Sequence, residues 1–172
     1  MKLEDAIKTR RTHKAFAPEP VEPELLAQLF ELARWAPNHH LTNPWRFRVL
    51  GPSTLARLKR IAEEVNPGSG GKLDRAPTLV VASVARQGDA IAQQEDLLAG
   101  AVAAYLVLLG AHGMGLAGYW RTLPLLDLPV AREALELDPA ELPIGLLHLG
   151  RPRQVQRVPE RAPVSSFVHH LP

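Results

Sequence analysis

The sequence predicts a sheet with helices packed on its faces, an α+β or α/β arrangement. Three observations carry that expectation. Helix-period and strand-period segments alternate along most of the 172 residues. Thr78 to Ala85 is a nearly continuous β-branched and apolar run, the pattern of a central strand. Between Asp96 and Arg121 no side chain is charged except when His112 is protonated, which marks a buried central helix. Gly113 and Gly115 break that helical pattern, and a histidine is costly at membrane depth. The stretch therefore reads as the core of a soluble domain and not as a membrane span.

The elements follow in order. Leu3, Ala6 and Ile7 share one face of a short helix over residues 3–9. Pro23 suits a first helical turn, and Leu25, Leu26, Leu29, Phe30 and Ala33 recur at helical spacing until Pro37 stops the run. Residues 36–44 form a polar loop between two prolines. Trp45, Phe47 and Val49 then alternate with Arg46 and Arg48, a strand with one buried face. Ser53 is placed to cap a helix carrying Leu55, Leu58, Ile61, Ala62 and Val65. Residues 66–71, Asn-Pro-Gly-Ser-Gly-Gly, read as a flexible connection and lack the pattern of a phosphate loop. The strand at 78–85 and the buried helix from Leu97 come next, with 87–96 as a polar lead-in. Gly118–Thr122 is a short strand, Pro129 opens a short helix, and Pro143–Gly150 is the last strand. Residues 151–172 have little periodicity and read as either a disordered end or, the favoured expectation, an arm on a neighbouring subunit. The expectation is one domain over residues 1–172, the arm included.

Composition excludes several functions. Twenty Lys and Arg against 18 Asp and Glu give a net charge of +2, too little excess to indicate nucleic acid. Cysteine is absent, which removes disulfides and thiol chemistry and fits a reducing compartment. Glu4 and Asp5 interrupt the first residues, so no secretory signal is expected and a cytoplasmic location is. None of the five serines sits in a GxSxG elbow. Among seven histidines, His39-His40 and His169-His170 are adjacent pairs, a poor ligand spacing, and no HExxH occurs, so no metal is expected. No GxGxxG turn follows a strand, which argues against a Rossmann unit.

Two stretches carry chemistry. Arg10, Arg11 and Thr12 combine forked cationic donors with a hydroxyl, a set suited to a phosphate monoester. Arg151, Arg153, Arg157 and Arg161 form a second basic group at the other end of the chain, and the two could meet around one small anion. The loop from Pro37 to Asn43 offers amides and imidazoles between Trp35 and Trp45. The same residues also suit a solvated helix end and an ordinary surface loop.

Taken together, five blocks in register resemble the nitroreductase family of flavoproteins, in its compact form. They are Arg10-Arg11-Thr12, Ala36-Pro37-Asn38-His39, Asn43-Pro44-Trp45-Arg46-Phe47, the glycine-rich Gly113 to Thr122 segment, and Ile144 to Pro152. The resemblance implies a three-layer α/β/α sandwich with a central mixed, mostly antiparallel sheet. It implies an FMN-binding homodimer with flavin sites at the subunit interface. Arg10, Arg11 and Thr12 would meet the FMN phosphate, with Arg151 or Arg153 as a second contact. Trp35 and His39 would approach the flavin from the partner subunit. Trp120, Arg121 and Thr122 would lie along the isoalloxazine ring.

The implied chemistry is hydride delivery from NADH or NADPH to the flavin, then reduction of a small electron-poor acceptor such as a nitroaromatic or quinone in the same cleft. No catalytic acid–base side chain is expected, and a shared cleft implies ping-pong kinetics. Asn43 stands where the family commonly has Gln, Thr12 where it has Ser, and there is little insertion to cover the cleft. The alternatives are dehalogenase-type or metabolite-modifying flavin chemistry on the same fold, and a flavin-binding protein without catalysis.

Overall fold

The computed structural model describes residues 1–172, and its helices and strands run α1 (Leu3–Thr9), α2 (Pro23–Ala33), β1 (Trp45–Val49), α3 (Pro52–Val65), β2 (Thr78–Ala85), α4 (Ala90–Gly113), β3 (Ala117–Arg121), α5 (Pro129–Ala134) and β4 (Glu141–Gly150). The strands lie in the order β1-β2-β4-β3, and every neighbouring pair is antiparallel. The one parallel pairing within the chain is an isolated bridge from Thr12 to Gly118, on the outer edge of β3.

Strand alternation builds the two cores. Leu79 and Val81 of β2 face α3 and α5, where Leu58, Ile61, Ala131 and Ala134 cover them. Val80 and Ala82 face the other way, toward Leu29 of α2 and Ala103, Ala104 and Val107 of α4. This is the three-layer sandwich. The α4 layer depends on small residues. A Cβ on Gly100 would lie 2.2 Å from Val84 Cγ2, so only glycine lets the helix approach β2 at that point.

Several local expectations are corrected. The central helix begins at Ala90, seven residues before Leu97. Asp89 caps it, its Oδ1 accepting from Ile91 N and Ala92 N at 3.0 and 2.9 Å. Its first two turns carry Gln93, Gln94, Glu95 and Asp96, which hid them from a hydrophobicity reading. Ser53 is not a cap: Gly51 takes that position and Pro52 the first helical one. The segment after Asn66 is not free. Glu63 accepts from Gly68 N and Gly70 N, both at 2.7 Å, and Ser69 Oγ donates to Ala62 O. Val49 is exposed because β1 is an edge strand, while Trp45 and Phe47 are half-buried.

The register of β4 shifts between its pairings with Ala82 and Ser83, leaving Ile144 as a bulge. Gly145, at φ +145°, follows the bulge with the Trp120 indole directly over it. The indole N–H donates to the freed Ile144 carbonyl at 2.9 Å.

One buried ion pair joins β1 to β4. Both Arg48 Nη atoms donate to Glu141, at 2.6 and 2.8 Å, and Ser83 Oγ donates to the same carboxylate at 2.6 Å. Burial pushes the Glu141 pKa up, but the bonds from Arg48 and Ser83, the Arg48 charge and the Asp138 amide outweigh it and hold it at about 2. Glu141→Gln leaves Arg48 without its counter-charge, and urea unfolding at pH 7 should show a loss on the order of 3 kcal/mol. The folded carboxylate sits below its ordinary value of 4.5, so its contribution is full above that pH and is lost as pH falls toward 2. The gap between wild type and variant should close over that window.

Candidate functional site

The first candidate stretch leaves the C-terminus of α1 and clips onto β3. His13 N donates to Gly118 O at 3.2 Å beside the Thr12–Gly118 bridge. The chain then runs past the end of β4, where Ala17 N donates to Arg151 O at 2.9 Å and Arg153 N to Ala15 O at 3.3 Å. The two basic segments from opposite ends of the sequence therefore do come together. Their side chains differ in freedom. Arg151 is held by Glu22 at 2.7 Å. Arg10, Arg11 and Arg153 have no carboxylate partner.

Arg10 lies over the Tyr105 ring, 5.8 Å from its centroid. Arg11 donates to Arg10 O, while its Nε is buried and unbonded. Thr12 is exposed. Two imidazoles back this group. Burial, then the nearby His112 and Arg10, holds His13 below the usual histidine value. Burial, Arg10 and Arg11 do the same to His112. Thr9 Oγ1 donates its one proton to Asp5 O, so His112 Nε2, 2.8 Å away, is the donor in their contact.

At the other end of β3 a cavity of about 290 Å³ opens on the α3 side. Arg121 lines it with Asn66, Ser69 and Lys72 above apolar walls from Ala62, Leu73 and Leu123. Neither Arg121 nor Lys72 is in an ion pair, and Arg121 Nη1 is buried without a partner. Thr122, exposed, follows directly after the strand. Trp120 does not share this cavity. Consecutive strand residues project to opposite faces, and its indole is packed with the α4 layer and bonded to Ile144. Behind the cavity His148 is fully buried on β4, stacked on Tyr119 with centroids 5.2 Å apart. Burial, with Arg121 and Arg75 nearby, pushes its pKa down to about 4.

From the Thr12–Gly118 bridge to Thr122 is four residues of strand, about 13 Å. A cationic group thus stands at one end of β3, the outer strand of the sheet, and a cationic, apolar-walled slot at the other. That edge suits an elongated ligand with an anionic head and a flat, polar-rimmed body.

Trp35 and His39 lie elsewhere. Trp35 is 75% exposed, its N–H directed to Glu31 at 3.3 Å with Arg34 over its ring. His39 Nδ1 bonds Glu95 Oε2 at 2.7 Å. A carboxylate only accepts, so Nδ1 carries the proton and Nε2 is left for another contact. Glu95 and His112 are seventeen residues apart on α4, about 25 Å of helix. The His39 loop therefore sits toward the start of the helix and the Thr9–His112 contact at its end, with Arg10 between them over Tyr105.

The sequence profile of the nitroreductase family matches residues 7–151. The chain belongs to the nitroreductase family. YfhC of Bacillus subtilis, provisionally named an NAD(P)H nitroreductase, is 25% identical over 94% of this chain and 90% of its own length. The fold is that of a nitroreductase-like protein from Bacillus cereus, with a TM-score of 0.89, 24% identity, and coverage of 99% and 96% of the two chains. The FMN and NADPH-dependent nitroreductase NfnB from Sphigopyxis superposes with a TM-score of 0.83 at 16% identity over the whole of both chains.

Sequence reasoning missed Asn66, Ser69 and Lys72, because the glycines around them read as a linker. It also missed the separation of Trp120 from Arg121, although period-two alternation over residues 117–121 carries that signal.

His148 generates a pH dependence with a definite sign. Its folded pKa of about 4 lies below the unfolded 6.5. The unfolded chain thus takes up a proton that the folded chain refuses, and stability is lost as pH falls between those values. His13 and His112 act with the same sign. Chemical denaturation from pH 7.5 to 4 should show His148→Phe losing less stability than wild type, by about 3 kcal/mol.

Proposed function

We propose that this nitroreductase-family chain is an FMN-dependent oxidoreductase that takes reducing equivalents from NAD(P)H and passes them to a small electron-poor acceptor, such as a nitroaromatic or quinone. The observation that carries this reading is the strand edge with unpaired cations at both ends. FMN fits it. Arg10, Arg11 and Thr12 match a dianionic phosphate, and the buried, unbonded Nε of Arg11 is a donor without an acceptor inside the chain. The slot at Arg121 matches a flat ring with a polar rim, and Arg121 Nη1 is a second such donor. Of the two arginines after β4, Arg153 is the one free to add to the phosphate site, since Arg151 is paired with Glu22.

Bound FMN supplies the redox chemistry itself, so the chain needs no nucleophile or general acid. The chain's work is electrostatic and steric. Arg121 and Lys72 would hold the polar rim of the ring and supply positive charge beside it. Ala62, Leu73 and Leu123 keep one face of that slot dry. NfnB, by its name an FMN- and NADPH-dependent enzyme, and a Desulfovibrio desulfuricans family structure in complex with FMN, 22% identical with a TM-score of 0.82, support the choice of cofactor.

The working unit is a cytoplasmic homodimer with its flavins at the interface. Within one chain about 15 Å of α4 separates the His39 loop, at Glu95, from Arg10, over Tyr105. A two-fold pairing of α4 with its copy brings the loop end of one helix to the phosphate end of the other. The outer face of α4 supports this, since Ile91, Leu98 and Val102 are exposed apolar residues at helical spacing. Trp35 and His39 Nε2 would then reach the partner's flavin. Residues 151–172 continue as an arm, with Val155, Phe167 and Leu171 open to a second subunit.

The deciding experiment is anaerobic. Purified protein loaded with FMN should retain it through desalting, lose its flavin absorbance on adding NADH or NADPH, and regain it when a nitroaromatic is added. Retention without bleaching would make the chain a flavin binder and not an enzyme. Arg10→Ala should weaken FMN binding roughly tenfold or more, the scale of one charge-assisted hydrogen bond. Unchanged affinity by fluorescence titration would remove Arg10 from the phosphate site.

A further inference from the structure

The loop that carries His39 is held in a conformation its backbone does not favour. His40, Leu41 and Asn43 have φ angles of 53°, 52° and 46°. Residues other than glycine adopt such angles chiefly where their surroundings impose them. Bonds inside the loop shape it: Asn43 N donates to Asn38 Oδ1 at 2.9 Å, and Asn43 Nδ2 to Leu41 O at 2.8 Å. Those bonds anchor it to nothing else.

Two ties run from the loop to α4. His39 to Glu95 is a solvent-exposed pair, and such pairs hold little. The second tie is Thr42 Oγ1 donating to Asp96 Oδ1 at 2.7 Å, and Asp96 is only 3% exposed. The other carboxylate oxygen accepts Gln87 N, from the segment leaving β2, at 3.3 Å. No Lys, Arg or His pairs with Asp96. A buried carboxylate without a cation is costly unless its hydrogen bonds are made. The bonds it makes here join a loop hydroxyl to the sheet's exit strand, one turn before Gly100 fixes α4 against Val84.

We propose that Asp96 is a positioning residue that clamps residues 38–43, through Thr42, in the strained form that presents His39 to a flavin. This rests on the flavin reading above and adds a device to it. The loop is set before the cofactor arrives, so binding does not have to order it.

The test uses full-length protein and three forms: wild type, Thr42→Val and Thr42→Ser. Valine keeps the volume and removes the hydroxyl, while serine keeps the hydroxyl. Hydrogen–deuterium exchange over residues 38–43 is measured without FMN, and FMN affinity by quenching of FMN fluorescence. The clamp predicts faster loop exchange and roughly tenfold weaker FMN binding in Thr42→Val, with both restored in Thr42→Ser. Should Thr42→Val not fold, Asp96→Asn against Asp96→Ala asks the same question, since asparagine keeps an acceptor oxygen and should keep the loop protected. Unchanged loop exchange in Thr42→Val, or a failure of serine to rescue it, overturns the clamp. A wild type that binds no FMN overturns the flavin reading instead, and loop exchange still decides whether Asp96 holds the loop.

Discussion

The close seat of α4 on the sheet is the constraint on which the rest depends. Gly100 allows the helix against Val84, and Ala103, Ala104, Val107 and Ala111 continue a buried face of small and branched residues. Seated there, α4 becomes a ruler. Its first turns hold the His39 loop through Glu95 and Asp96, and its last turn meets Thr9 through His112. Both halves of the candidate site take their positions from one rigid element. The same seating leaves the helix's outer face apolar and uncovered. Length and composition alone would let α4 cross a membrane, but its inner face is already the core of one layer of the sandwich.

Charge is distributed by a second rule. Several cations that tie elements of the fold together are neutralised: Arg48 by Glu141, Lys59 by Asp74, Arg57 by Glu133, Arg151 by Glu22. Where cations line the outer edge of β3 they are not. Arg10, Arg11, Lys72 and Arg121 have no carboxylate partners, and burial and nearby arginines push the pKa values of the neighbouring histidines down. Like charges held together without compensation cost stability, which an anionic ligand would offset. A single net charge of +2 conceals this arrangement.

The fold was largely legible because its signals are periodic. The β-branched run at 78–85, the helical spacing of α2 and α3, and the uncharged core of α4 each state their element directly. Arg10, Arg11 and Thr12 were legible as a candidate anion-binding set from residue type alone. The start of α4 was not: the polar turns from Ala90 look like a loop until Asp89 is seen bonding to two amides. Nor was the wall at Asn66, Ser69 and Lys72, since glycine-rich sequence gives no hint that Glu63 pins it from the preceding helix.

The sequence by itself determined the family, the layered architecture and the kinds of side chain offered to an anion, because composition and period survive without coordinates. Only the tertiary structure decided which of those side chains meet. Thr12 lies beside Gly118, and Arg121 beside Lys72, through sheet order and strand alternation, which no local window contains. The tertiary structure also decided that His39, at Glu95, and Arg10, over Tyr105, stand about 15 Å apart along one helix. That separation is a property of α4 as a packed rod, and it is what turns one chain's site into a question about two.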